Sequence, residues 1–285
     1  MRRGNTPARA ASASRDLSRE QLHERWLRLH ETDREPFPDE HFVAGLAVRH
    51  SDIAAWVLGH GGAAAQARSL QEAWRAFHAG EFRRAVSRGA ALGVLGASVA
   101  NKAAAVDSLY SRRGAADVLK DLESAIERGE HAVGDLDELT NTHYTLALVI
   151  GRYSQRISIA RALAEGLAGR VRTHLERALA LEPRHAEAHL AFGLFHAEIV
   201  AKLGSLAASL AYGASQREAL EHFRRSLALA PRSPIVHMEY AHGLMLLDAR
   251  RYREQAQALY RDAAACHPAD AMERLDSQRA KAGLH

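Results

Sequence analysis

Three prolines, each at the end of a similar helical segment, constrain the fold of this chain more than any other feature. The segments LERALALEP, FRRSLALAP and YRDAAACHP end at Pro183, Pro231 and Pro268, which are 48 and 37 residues apart. Alanine and leucine favour helices, and proline ends a helix because it has no amide hydrogen to donate. The recurrence predicts a repeated helical unit, with successive helix ends 48 and 37 residues apart.

Small and large residues also recur at fixed offsets before these prolines. Two copies of one pattern are formed by Ala219, Phe223, Ser226 and Pro231, and by Ala256, Tyr260, Ala263 and Pro268. The pattern resembles the closing half of a tetratricopeptide repeat, and AEAHLAFG, residues 186–193, resembles the opening half. The resemblance implies an all-α fold, in which antiparallel helix pairs stack into a right-handed superhelix, a TPR-like α-solenoid with an N-terminal helical cap.

Four further segments carry a finer resemblance. LQEAWRAFHAGEFRRA, GRYSQ, FHAEIVAKLG and YGAS are similar to a degenerate bacterial group of tetratricopeptide proteins. Regulators of microtubule dynamics and the T-component of tripartite ATP-independent periplasmic transporters are related to that group. The transporter component is exported, whereas residues 1–18 of this chain lack the apolar segment of a secretory signal. This difference argues against a transport role.

Chain breaks and apolar spacing divide the sequence into four parts. Residues 1–16 are predicted to be a disordered tail, and residues 17–62 a helical extension in which Asp39 caps a helix. Residues 63–275 are predicted to form the repeat domain, and residues 276–285 a C-terminal tail. No run of alternating β-branched residues is long enough to predict a sheet.

The tetratricopeptide period is 34 residues, so the resemblance implies that the 48-residue spacing contains an insertion of about 14 residues and the 37-residue spacing one of about 3. The longer insertion falls before the helix that ends at Pro231. The apolar residues that keep a helical spacing across it are Ile199, Leu203, Leu206 and Leu210. A polar loop would not show this spacing. We therefore expect the insertion to lengthen a helix or to fold as a buried turn of helix, beside which a cavity forms.

Composition narrows the classes of function. The net charge of +4 comes from 38 basic and 34 acidic residues interleaved along the chain, a distribution that argues against nucleic-acid binding. Only four of the basic residues are lysines, and this arginine excess is typical of GC-rich bacterial coding. The single cysteine, Cys266, excludes an intrachain disulfide, and no apolar segment is long enough to span a membrane. We expect a protein of the bacterial cytoplasm.

Motifs of catalysis and of metal binding are absent from the sequence. It contains no HExxH, paired CxxC, GxSxG or P-loop motif, and no GxGxxG after a strand. His185, His189 and His196 share a helix face, but the last two lie roughly 10 Å apart along the axis, too far to share one zinc ion. His189 and His237 occupy equivalent repeat positions, where rings pack between helices. The sequence predicts no enzymatic activity, no metal and no cofactor.

Polar residues inside apolar helices are the candidates for a binding site. They are Asn101, Lys102, Arg152, Tyr153, Glu198, Lys202, Tyr212 and Glu239. One interpretation is that they pair between neighbouring helices, because a buried charge is costly unless it is paired. The other is a polar site in the groove or in a cavity of the solenoid, which would take a carboxylate or a peptide terminus. The sequence leaves both open.

Two functions follow from this fold. The first is a non-enzymatic scaffold that binds a protein or peptide partner on the concave surface, which the first helix of each pair forms in a solenoid. The residues predicted to lie on that surface are Leu190, Leu194, Ala197, Glu198, Met238, His242, Met245 and Leu246. The alternative is a binding protein for a small organic ligand, held in a cavity of the solenoid around Lys102, Arg152 or Lys202.

Overall fold

The predicted all-α fold is confirmed by the computed structural model, which describes residues 17–284. Within this range the chain forms sixteen α-helices and one short 3₁₀ helix, Gly93–Gly96, and no strand. Residues 1–16, predicted to be disordered, lie outside the described residues. The helices are α1 (Arg19–Leu29), α2 (Glu40–Arg49), α3 (Ser51–Gly59), α4 (Gly62–His78), α5 (Phe82–Ala90), α6 (Ala97–Tyr110), α7 (Ala115–Asp135), α8 (Thr140–Ser154), α9 (Ile159–Ala164), α10 (Leu167–Leu181), α11 (Ala186–Leu203), α12 (Ser205–Tyr212), α13 (Gln216–Leu229), α14 (Pro234–Asp248), α15 (Arg253–Ala265) and α16 (Ala271–Ala282).

Helices α4 to α15 form five successive pairs, and α5 of the first pair also packs closely on α6 of the second. These pairs are α4 with α5, α6 with α7, α8 with α10, α11 with α13, and α14 with α15. We call the first helix of each pair its A helix and the second its B helix. Helix α6 also packs on α8, and α11 on α14. Side-chain hydrogen bonds from Tyr144 and Gln155 to Glu187 and Glu198 join α8 to α11, so that the A helices share one face. Helices α9 and α12 are additional elements inside the third and fourth pairs.

Phe223 shows how the repeat pattern specifies this packing. Its ring is fully buried between Gly193 of α11 and Gly243 of α14. A Cβ atom at Gly193 would lie 2.6 Å from the ring, and one at Gly243 would lie 2.2 Å from it. Glycine is therefore required at both positions, because any larger residue would displace a side chain whose burial contributes about 1.5–3 kcal/mol.

The insertion is helical, as predicted, but it is not buried. Helix α11 continues to Leu203, where Gly204 with φ of 76° ends it, and the separate helix α12 follows. Leu206 and Leu210 of α12 are 76% and 81% exposed, and Ala208 is its one buried residue. Of the two predicted alternatives, the lengthened helix fits α11, which has 18 residues, whereas the buried turn of helix is wrong, because the turn at Gly204 directs the two leucines outward.

The first and last helices of the described chain are in contact. Helix α16 packs on α14 and α15, and also on α4, where Met272 and Leu275 join the core around Trp26, Trp74 and Phe77. Two hydrogen bonds of 3.0 and 3.2 Å join the guanidinium of Arg28 in α1 to the carboxylate of Glu273 in α16. The two ends of the stack therefore meet.

Helix α16 also corrects the predicted C-terminal tail. The boundary expected after residue 275 falls inside this helix, which continues to Ala282. The side chain of Asp270 caps its first turn, and Asp276, Ser277 and Ala280 are buried. A polar sequence was expected to be a tail, but burial against α14 and α4 makes it part of the stack.

Candidate functional site

The connection between α1 and α2 occupies part of the face that the A helices form. We call residues 30–36 the inner segment. The amide of Glu187 in α11 donates to the carbonyl of Thr32 at 3.0 Å, and Asn141 of α8 donates to the carbonyl of Asp33 at 2.9 Å. These bonds satisfy main-chain groups of the inner segment that burial removes from water. The chain therefore fills one part of its own concave surface.

Buried charges hold the inner segment in place. The ammonium of Lys102 in α6 donates to Asp33 at 2.5 Å and to Glu187 at 3.1 Å, and the hydroxyl of Tyr144 donates to Glu187 at 2.6 Å. Burial alone would raise the pKa of Asp33, but His30 and Lys102 outweigh it and hold that pKa well below its usual range. The pKa of Lys102 is raised, because its two carboxylate partners outweigh its burial. Lys102 thus joins three separate elements as a charged cross-link.

Two histidines extend this network to the end of the chain. His30 contacts Asp33 through Nδ1 at 2.8 Å, and its Nε2 lies 3.2 Å from Nε2 of His78 in α4. His78 Nδ1 in turn lies 2.7 Å from the carboxylate of Asp270. The inner segment, α4 and the cap of α16 are therefore linked through one row of buried polar groups.

The other part of the concave surface is open and polar. We call this part the basin; it encloses about 360 Å³ towards the carboxyl ends of α8 and α11. It is lined by Leu109, Arg152, Gln155, Leu194, Glu198, Ala201, Lys202, Glu239, His242, Leu246 and Arg279. These residues come from α6, α8, α11, α14 and α16. The first three of these helices also hold the inner segment, so the two parts of the concave surface are neighbours.

The charges of the basin are incompletely bonded. Glu239 lies 3.7 Å from the guanidinium of Arg152 and 3.6 Å from that of Arg279. Neither Nε of Arg152 nor Oε1 of Glu239 has a hydrogen-bond partner, although both atoms are buried. By contrast, Glu198 accepts from Gln155 at 2.7 Å and from Lys202 at 3.1 Å. A group that accepts from Arg152 would remove a desolvation cost that this structure leaves uncompensated.

An apolar pocket of about 140 Å³ adjoins the basin. The pocket and the basin share Arg152, Gln155, Leu194, Glu198 and Lys202, which form the rim between them. Its walls come from α8 to α12 and are mostly aliphatic. The larger apolar side chains of the walls are Leu148, Ile159, Leu163, Leu167, Val171, Leu175, Phe195, Ile199, Leu203 and Tyr212.

The structure divides the eight predicted site residues between these regions. Arg152, Glu198 and Lys202 meet at the rim, Tyr212 lines the pocket, and Glu239 lines the basin. The other three lie elsewhere: they are Asn101, which accepts from Arg128; Lys102, in the buried network; and Tyr153, near Glu123 and Glu165. The expectation of a cavity around Lys102 is therefore corrected, because Asp33 and Glu187 fill the space around its ammonium group.

The predicted concave residues are divided in the same way. Leu194, Glu198, His242 and Leu246 line the basin. The other four predicted residues lie in the cores between helices; they are Leu190, Ala197, Met238 and Met245. Arg279 of α16 was missed, because its residue range was expected to be a tail. The inner segment was also missed, because HETDREP has the composition of an exposed turn.

Histidines at equivalent positions pack between helices, as predicted. His143, His189 and His237 each place Nε2 near a main-chain carbonyl six residues earlier, at 2.9, 3.1 and 2.8 Å. In the first two, Nδ1 faces a B-helix histidine, His174 or His222, whose pKa burial lowers to about 4. Among the described residues, no three histidine, cysteine, aspartate or glutamate side chains converge as metal ligands would.

The fold is similar to that of a solved tetratricopeptide protein. The crystal structure of TTC0263, a thermophilic TPR protein of Thermus thermophilus, superposes with a TM-score of 0.54 and 18% sequence identity. The superposition covers 76% of this chain and 100% of that chain. No family model matches the sequence, and no curated protein matches it significantly. The similarity therefore shows a TPR-like helical-repeat fold. In residues 17–284 no helix has the length and apolar character needed to cross a bilayer.

Proposed function

We propose that this protein is a non-enzymatic helical-repeat scaffold that binds a protein or peptide partner in the basin. One observation supports this above the others: the inner segment fills one part of the concave surface, and the basin is left open with incompletely bonded charges. Solenoids present their partner-binding surface on the concave side. The partner accordingly contacts part of that surface, not its whole length.

The composition of the basin indicates what the partner presents. Three cationic side chains, Arg152, Lys202 and Arg279, face two carboxylates, those of Glu198 and Glu239. Leucines of α11 and α14 lie beside them. The partner would present a carboxylate, at a chain end or on a side chain, with an apolar residue next to it. The carboxylate would bond with the arginines, and the apolar residue would pack on the leucines. Hydrogen bonds between guanidinium and carboxylate are among the stronger polar contacts in proteins.

Affinity capture from the native cell tests this proposal with two matched charge reversals. Arg279→Glu changes a basin residue whose side chain is 46% exposed, and circular dichroism checks that the variant, which places a carboxylate beside Glu239, is folded. Arg225→Glu makes the same change on the outer helix α13, at an exposed position. We expect a partner to be retained by the wild type and by Arg225→Glu, and lost by Arg279→Glu. Equal retention by all three proteins would place the partner site outside the basin.

A further inference from the structure

The apolar pocket lies where the chain departs from a plain repeat of helix pairs. Helices α9 and α12, the two additional elements, both contribute to its walls. Neither helix is well buried: α9 has no buried residue, and its Ile159 and Leu163 are 54% and 49% exposed. Apolar side chains held at this exposure around a concave site mark a surface that binds something apolar.

Small residues in the lining leave the interior of the pocket unfilled. Gly151 of α8 lines it, and a Cβ atom added at this position would meet no other atom within 4 Å. Ala147, Ala162 and Ala191 are further small residues of the lining. Aliphatic walls around such a space favour an apolar ligand over water, because they offer water few hydrogen bonds.

The rim supplies a cationic end to this apolar space. Arg152 is 14% exposed; its Nη1 donates to Gln155 at 3.3 Å, while its buried Nε has no hydrogen-bond partner. Lys202 is 39% exposed and stands across the rim. Glu198 is already bonded by Gln155 and Lys202, and Glu239 lines the basin but not the pocket. Arg152 and Lys202 therefore present cationic donors at the rim, and these suit an anionic acceptor.

We infer that this pocket binds an amphipathic monocarboxylate, whose carboxylate accepts from Arg152 and Lys202 and whose apolar chain or ring lies among the side chains of α8 to α12. This inference goes beyond the scaffold function and does not depend on it. A ligand with only a carboxylate would leave the walls in contact with water. A ligand with only an apolar body would leave Nε of Arg152 without an acceptor.

Calorimetric titration of the full chain tests the apolar half of the site. The probes are acetate, octanoate and decanoate, the last two below their critical micelle concentrations. We expect saturable binding of one decanoate, weaker binding of octanoate and none of acetate, because each buried CH₂ group should tighten binding about fourfold. Absence of decanoate binding, or affinity independent of chain length, would overturn the inference.

A pair of glycine substitutions locates the ligand. A Cβ atom at Gly151 meets nothing within 4 Å, so Gly151→Leu directs a side chain into the pocket and should weaken decanoate binding by at least about tenfold. Gly169→Leu is the matched control, since this helical glycine of α10 is exposed, does not line the pocket, and also has nothing within 4 Å of its added Cβ. If Gly151→Leu bound decanoate as the wild type does, the ligand site would lie elsewhere.

Substitutions at the rim test the charged half of the site. Arg152→Met should weaken decanoate binding about tenfold or more and leave decan-1-ol binding nearly unchanged, because a charge-assisted hydrogen bond is lost only for the acid. Lys202→Met is the second variant, at a position exposed enough to tolerate it. Equal losses for acid and alcohol would refute the assignment of the carboxylate. Gly151 lines the pocket and not the basin, so Gly151→Leu should leave partner capture intact, and failure of this inference is distinguishable from failure of the scaffold proposal.

Discussion

Helix α8 carries both parts of the concave surface, and the two parts treat polar groups in opposite ways. Near its start, Asn141 bonds to the buried inner segment beside the paired charges of Asp33, Lys102 and Glu187. About three turns later, Arg152 faces the basin with an ion pair of 3.7 Å and a buried Nε without a hydrogen bond. The charged groups around Lys102 bond to one another, whereas Arg152 and Glu239, which are also largely buried, each keep one atom without a hydrogen bond. The comparison teaches that position along one helix separates charges that stabilise the fold from charges that can bond to a partner or ligand.

The largest expected effect is that of removing the central charge of the buried network. Lys102→Met leaves Asp33 and Glu187 buried without their cation, and should lower the free energy of unfolding by about 3–5 kcal/mol. Urea denaturation followed by circular dichroism measures this change. The same substitution at Lys202, a partly exposed ion pair with Glu198, should cost less than about 1 kcal/mol. Similar costs for the two lysines would remove the distinction between the two parts.

The second effect is a dependence of stability on pH that belongs to the inner segment. Burial, with the nearby Asp33 carboxylate, raises the pKa of Glu35 from its usual value to about 8. Between pH 4.5 and 8 the unfolded chain therefore releases this proton while the folded chain keeps it, so stability is lost as the pH rises. Glu35→Gln should reduce the loss of unfolding free energy with rising pH by up to about 1.4 kcal/mol per pH unit.

Melting temperatures measured from pH 4 to pH 9 test that sign. Glu35→Gln should match the wild type near pH 4, where the carboxyl is protonated in both states, and should exceed it at pH 8. The matched control is Glu198→Gln, at the rim of the basin. Parallel pH profiles for the wild type and Glu35→Gln would show that this carboxyl ionises as easily in the folded chain as in the unfolded one.

The smallest effect is expected in the basin. Arg152→Met removes one of two cations near Glu239, but Arg279 remains 3.6 Å from that carboxylate. The substitution also removes a buried donor that has no acceptor. We expect a loss of stability of about 1 kcal/mol or less by urea denaturation. A loss as large as that of Lys102→Met would mean that Arg152 is a structural residue and would weaken its assignment to a binding site.

Sequence reasoning found the stack of helix pairs because the relevant contacts repeat locally. The spacing that places Phe223 between Gly193 and Gly243 is visible in the chain itself. The insertion illustrates the limit of such spacing. Leu206 and Leu210 were correctly placed on a helix but wrongly expected to be buried, because periodicity identifies an apolar face without showing whether anything covers it.

The site was only partly predictable for a related reason. One signal, a polar residue within an apolar helix, selected both Lys102 and Arg152, which the structure assigns to opposite parts of the concave surface. The difference between them is made by the inner segment, whose Asp33 is 69 residues from Lys102 and whose Thr32 is 155 residues from Glu187. No local pattern carries contacts at such separations.

The contact between α16 and the helices α1 and α4 has a consequence for how such a protein evolves. Arrays of repeats ordinarily gain or lose units by duplication and deletion, because each unit touches only its neighbours. Here an added or deleted helix pair would move Glu273 away from Arg28 and Asp270 away from His78. The number of helix pairs is consequently fixed by the contact of α16 with α1 and α4. We therefore expect related chains to differ by substitutions and by inserted helices such as α9 and α12, and not by the number of helix pairs.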